Sequence, residues 1–307
     1  MISLASILVD IDAVATDHPA LEQAVRLAVR CGARVKIVDV LPRVPAGVRH
    51  FVTPDLENEL IDHRRERLKA IANGVQGVPV TTELLRGRPG MALIQEILRS
   101  GHDLLVRSHA RDLADQPKPY GAVDMELLRL SPCPVWLIGP RPSRHTPWRL
   151  VAAINPNPGD ATEQQLNLMV VEWALRLRDI AGADLTLLHA WTVFGGSVLR
   201  SRLPEHEFLE YVESARRASQ DAMATFTKPL ADRLSGVTVL FVEGEPEHAI
   251  SHFVDTNGVD LVVMGTVARS GIPGLVMGNT AERVLQRLRG SVLAIKPPGF
   301  VSPVERT

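Results

Sequence analysis

Between Asp260 and Leu285 the chain reads DLVVMGTVARSGIPGLVMGNTAERVL. Gly265, Thr266 and Ala268 follow an apolar run, and Gly278, Asn279 and Thr280 open a stretch with helical spacing. Strand, loop and helix in that order present backbone N–H groups and the positive end of a helix dipole, which is how a chain holds phosphate. The same residues also have a purely structural reading. Asn279 makes a good N-cap, and Glu282 three residues on completes the pattern of a capping box. No Walker lysine is present, so fast hydrolysis of a bound triphosphate is not expected. Arg269 reads as an exposed loop arginine.

Other chemistry-bearing residues are less organised. His248 and His252 stand at i, i+4 in EPEHAISHFVD, a spacing that can hold a metal. The glutamate that a zincin carries directly after its first histidine is absent, so a solvated helix face is expected and no metal. Cys31 and Cys133 form no CxxC, and Cys133 in SPCPV reads as a small core residue. No GxSxG elbow or other recognisable nucleophile context occurs, and no catalytic residue is assigned.

The elements that position these residues follow from composition and pattern. A chain of 307 residues, 45% hydrophobic and only 4% aromatic, suits two domains with aliphatic cores. Lys plus Arg number 34 and Asp plus Glu 35, which gives no support to a nucleic-acid partner. The densest basic cluster, HRRER at His63–Arg67, reads as a solvated helix face. MISLASILVDID lacks a basic n-region and reads as a first strand rather than a signal peptide. No apolar run approaches the roughly 18 residues of a membrane span.

The chain repeats itself. HDLLVRSHA from His102 matches VDLVVMGTV from Val259, and Gly121 and Gly278 follow at equal distances. RGRPGMALIQEI from Arg86 matches EGEPEHAISHFV from Glu243, each with Gly-x-Pro before a helix. ILVDID matches LVAAIN, so Asp12 corresponds to Asn155. The predicted domains are residues 1–140 and 149–298, with a linker at 141–148 and a tail at 299–307. Predicted strands are Ser6–Ile11, Arg34–Val40, Pro79–Leu84, Asp103–Arg107 and Pro134–Ile138, then Arg149–Ile154, Asp184–Ala190, Val237–Val242, Asp260–Gly265 and Ser291–Ile295. Alternating strand and helix predicts an α/β protein with an open parallel sheet and helices on both faces of each half. Ligands in such sheets bind beyond the carboxyl ends of the strands.

ILVDID, the Gly-x-Pro helix starts, SPCPVWLI, the Asp260–Leu285 stretch and the ending AIKPPGFVSPVE together resemble the universal stress protein superfamily, and its tandem E subgroup in particular. The resemblance covers nearly the whole chain. It implies two tandem flavodoxin-like (Rossmann-like) domains, each with strand order 3-2-1-4-5, in a non-enzymatic, cytoplasmic protein of bacterial stress response. It also implies that the fifth strands of the halves lie side by side, so that the two domains pair within the chain, with further homodimerisation open.

ATP-binding members of that superfamily use an aspartate after the first strand and a Gly-x2-Gly-x9-Gly loop followed by Ser or Thr. Carried over to the second half, the glycines fall on Gly265, Ala268 and Gly278, the hydroxyl position on Asn279 with Thr280 one step late, and the aspartate on Asn155. Three positions therefore depart from the pattern. In the first half Asp12 is kept, but Ser108 and Arg111 replace two glycines, and Asp124 follows Gly121 into the first helical turn. A carboxylate there is favoured by the helix dipole and repels a phosphate, so no nucleotide is expected in this half. Three function classes follow: an ATP-responsive regulator using the second half, a module for an apolar molecule or lipid in the inter-domain cleft covered by the insertion His189–Phe208, and a protein-interaction scaffold without a ligand.

Overall fold

The computed structural model describes residues 4–109, 120–139, 147–157, 159–266 and 277–305. Two compact units are present: Met1–Pro142 with Ser291–Thr307, and Ser143–Gly290. In the first, β1 (Ser6–Asp10), β2 (Arg34–Leu41), β3 (Val80–Arg86), β4 (Leu104–Ser108) and β5 (Val135–Ile138) lie in the order β3-β2-β1-β4-β5, all parallel. The helices are α1 (Pro19–Cys31), α2 (Pro54–Asn73), α3 (Pro89–Ser100) and α4 (Ala122–Leu130). In the second unit β6 (Arg149–Ala153), β7 (Asp184–Trp191), β8 (Thr238–Glu243) and β9 (Leu261–Gly265) repeat the order as β8-β7-β6-β9. Its helices are α5 (Ala161–Ala181), α6 (Gly196–Arg202), α7 (Glu205–Thr227), α8 (Pro246–Asn257) and α9 (Asn279–Arg287).

The fifth strand of the second copy, β10 (Ser291–Ile295), belongs to the first unit and pairs antiparallel with β5, Leu293 opposite Trp136. The two fifth strands therefore do lie side by side. The departure from an all-parallel sheet has a simple cause: β5 ends the parallel order, and a strand edge left bare would be a template for unwanted pairing.

The inner strands β1, β5 and β9 are nearly continuous apolar runs, as expected where both sheet faces are covered. Ile7, Leu8 and Val9 of β1 are buried, as are Val262 and Val263 of β9. The Gly-x-Pro repeats have a local explanation. Gly87 and Gly244 take φ of 123° and 133°, open to glycine alone in practice, and donate their N–H to Leu41 and Trp191 carbonyls. Pro89 and Pro246 then occupy the first helical position of α3 and α8, where no N–H is needed.

The insertion after β7 holds α6 and the start of α7. HRRER is only partly a solvated face. Arg64 reaches Asp39 at 2.6 Å, and Arg67 Nε donates to the Ala13 carbonyl at 3.2 Å. Arg64 thus reaches β2 and Arg67 the loop after β1.

Candidate functional site

Beyond the carboxyl ends of β6, β7 and β9 the second unit has a cleft of about 320 Å³. Asn155, Gly265, Gly278 and Thr280, four of the residues singled out by spacing, all line it. Thr266 is buried beside them, and its carbonyl accepts the Gly278 N–H at 2.9 Å. That bond closes the ends of the Gly265–Gly278 loop. Ala268 lies outside the described residues. Asn279, between the lining residues Gly278 and Thr280, is exposed and does not itself line the cleft.

The capping-box reading of Asn279 does not hold. Gly278 is the N-cap, with φ −68° and ψ 141°, and no side-chain cap of α9 is formed among the described residues. Asn279 is already helical, so its side chain does not fold back over the first turn. The first N–H groups of an α-helix have no partners within the helix, and those of α9 open beside the cleft, with Thr280 and Ala281 in the lining. Gly265 has a packing reason. A Cβ there would fall 2.6 Å from Cδ2 of Leu166, a residue of α5 that also lines the cleft.

Asn155 is tied down. Its backbone N–H donates to Asn167 Oδ1 at 3.2 Å, and Asn167 Nδ2 donates to its carbonyl at 2.5 Å. Its own Oδ1 accepts the Asn157 N–H at 3.2 Å, an Asx turn. Spacing gave no signal for Asn167 or Glu163 of α5, which reach the cleft only through folding. His189 of β7 was not singled out by spacing either. Its buried ring donates Nδ1–H to the Ile154 carbonyl at 3.2 Å. Burial lowers its basicity and the carbonyl bond raises it, with a net shift below the ordinary imidazole range. No Lys or Arg lines the cleft among the described residues.

The equivalent cleft of the first unit, about 860 Å³, has a different character. Arg107, at the end of β4, forms an ion pair with Asp10 and donates Nε to Asp124 Oδ1 at 3.0 Å. Asp124 Oδ2 also accepts from the Gly121 N–H at 3.0 Å and from His109 Nδ1 at 2.7 Å. Burial favours the neutral acid at Asp124, but His109, Arg107 and the Gly121 N–H outweigh it and hold the carboxyl below its usual range. Burial pushes Asp10 up to about 6 in spite of Arg107. The carboxylate of Asp124 thus occupies the N-terminus of α4, where a phosphate would sit. Ser108, in the first-glycine position, accepts the Ala20 N–H at 3.1 Å near the start of α1. Asp12 is exposed, held by the Val14 N–H and, at 3.5 Å, by Arg64.

His248 and His252 are both exposed on α8, and no group of three or more metal-ligating side chains occurs among the described residues. Cys133 is buried, its thiol pushed up to about 12 by burial. One triad-like chain exists, but it is sealed. Ser6 Oγ lies 2.8 Å from His102 Nδ1, and His102 Nε2 lies 3.3 Å from Glu96 Oε1, yet Ser6 is only 1% exposed. No helix among the described residues is long and apolar enough to cross a membrane.

Two open sheets of the same strand order, each with a cleft beyond its strand ends and a Gly-x-Pro helix start, define a tandem flavodoxin-like protein. The model of the Universal stress protein family matches residues 5–139 and 161–296, and the chain belongs to that family. It is similar to universal stress protein E of Escherichia coli K12, 29% identical over 98% of this chain and 96% of that one. The universal stress protein E of Photorhabdus laumondii is 26% identical over 99% of both. Among solved structures, a functionally unknown protein of Pseudomonas aeruginosa PAO1 superposes with a TM-score of 0.68 at 24% identity, covering 96% of this chain and 93% of that one. A universal stress protein of Archaeoglobus fulgidus gives 0.66 at 14% identity, covering 95% and 98%.

Proposed function

We propose that this chain is a non-enzymatic, ligand-responsive universal stress protein whose second unit binds an adenine nucleotide such as ATP, while the first unit binds none. The observation that carries this reading is convergence. Asn155, Gly265, Gly278 and Thr280 come from three separate segments and line one cleft beside the uncapped N-terminus of α9. In the first unit the same place is taken by Asp124 and its guanidinium partner. A nucleoside has its flat face among Ile154, Leu188, Ile250, Met264 and Val284, and its phosphates toward α9.

The test is identification of small molecules released on denaturing the purified protein, followed by titration with Mg-ATP. An adenine nucleotide, or saturable ATP binding that strengthens in the Asn155→Asp, Ala268→Gly double variant, supports the reading. No binding in either protein overturns it. The predominantly apolar lining favours one second reading, an apolar ligand, and a fatty acid or other lipid in the released fraction would install it instead.

A further inference from the structure

Among the described residues lining the cleft of the second unit is a buried polar side chain with a ring nitrogen that no protein group occupies, His189. Asn167 spends its amide on the Asn155 backbone, Asn155 spends its own on Asn157, and Glu163 Oε2 accepts the Gly159 N–H at 2.6 Å. His189 differs. Its Nδ1–H donates to the Ile154 carbonyl, which fixes the tautomer and leaves Nε2 as a bare acceptor. The ring is only 7% exposed and lines the cleft, with Phe241 of β8 edge-on at 6.4 Å. Nε2 forms no hydrogen bond among the described residues and is not sealed from solvent, so it is open to the cleft.

We infer that His189 selects the ligand's base: its Nε2 accepts an N–H from an amino-substituted flat heteroaromatic, so that the cleft takes a 6-aminopurine in preference to a purine with no donor at that edge. The inference rests on the adenine reading above and adds the residue that reads the base. Apolar walls hold a flat ring of any kind, so discrimination comes from directional groups, and a site that offers an acceptor penalises a ligand that cannot fill it. Burial disfavours the charged ring and so favours the neutral form that carries the acceptor. Glu163 of α5 is the only other titratable side chain in the lining among the described residues.

Three nucleosides test the inference: adenosine, purine riboside, which lacks the amino group, and inosine, which presents a carbonyl there. Calorimetric titration of the full chain at pH 7.5 should show adenosine binding about tenfold or more tightly than either of the others. The preference over purine riboside should collapse toward unity in His189→Leu and survive in part in His189→Gln, which keeps an acceptor. The nitrogen NMR spectrum of the ligand-free protein should show His189 protonated at Nδ1. Adenosine binding with no preference, or with a preference that His189→Leu leaves intact, overturns the inference while leaving the adenine reading standing. A ring protonated at Nε2 overturns it whatever binds and however the variants fold. Failure of every nucleoside to bind removes the adenine reading and this inference with it.

Discussion

Leu166 and Gly265 show how one pair can look like ligand chemistry and also be packing. The glycine that spacing assigns to a phosphate loop is required by a leucine: a Cβ would lie 2.7 Å from Leu166 Cγ. Gly265→Ala should therefore destabilise the second unit by about 1–3 kcal/mol through overpacking. Adding Leu166→Ala should recover part of that loss, as read from urea unfolding midpoints; an unchanged midpoint in the single variant would refute the packing account. Ser108 stands at the matching position of the first unit, and its neighbour Arg107 carries the ion pairs of that cleft. Arg107→Met leaves Asp10 and Asp124 buried without their cation and should cost about 3–5 kcal/mol. Asp124→Asn in the same chain should restore some of it, since one of the stranded charges is then gone. At this scale the sequence was informative about Asp124, which stands three residues after Gly121 and so in the first turn. It was silent about Arg107, because β4 and α4 bring the two together across a loop whose spacing says nothing of side-chain direction.

At the scale of elements, the two copies place different chemistry on the same frame. Glu126 of α4 lies over Gly90 of α3, and Glu247 of α8 faces Arg283 of α9 at 3.4 Å. Both pairs occupy equivalent positions 157 residues apart, with the charges rearranged. Strands and helix starts were legible to within a residue or two, since buried parallel strands are unbroken apolar runs and Gly-x-Pro is a turn with a mechanism. Buried polar chains were not, because their members meet only in space. The chain Ser6–His102–Glu96, extended by Lys36 Nζ at 2.6 Å from Glu96, ties β1, β2 and α3 together. Burial works against the Glu96 carboxylate, yet Lys36, Ser100, His102 and Arg99 hold it down at about 2. Burial also lowers His102, against the pull of Glu96. Both groups bind protons more weakly folded than unfolded, so both contribute stability that is lost on acidification. The His102 contribution fades below its ordinary value of 6.5, and the Glu96 contribution between 4.5 and about 2. Glu96→Gln should flatten the pH dependence of unfolding free energy below pH 4.5; an unaltered profile would contradict this.

For the whole molecule, duplication followed by opposite losses predicts one nucleotide per chain. Calorimetric stoichiometry with Mg-ATP should be near one, and a value near two would show that Asp124 does not block the first unit. The last segment carries a separate consequence. Lys296, just after β10, donates to the Leu128 and Arg129 carbonyls at 2.6 and 3.0 Å, where α4 ends, and lies 4.7 Å from the Phe300 ring. Burial pushes its ammonium down to about 7. An amine that binds its proton less tightly folded than unfolded makes stability rise with pH above 7, and Lys296→Met should remove that slope between pH 7 and 9. Both the strand that covers the β5 edge and the cation that closes α4 are encoded after residue 290. On the ribosome, then, the unit that emerges first waits longest: through the translation of the entire second copy its sheet has an open edge and one helix lacks its end. A premature stop before Ser291 would harm the first unit, and a chaperone binding the nascent chain would find its target there.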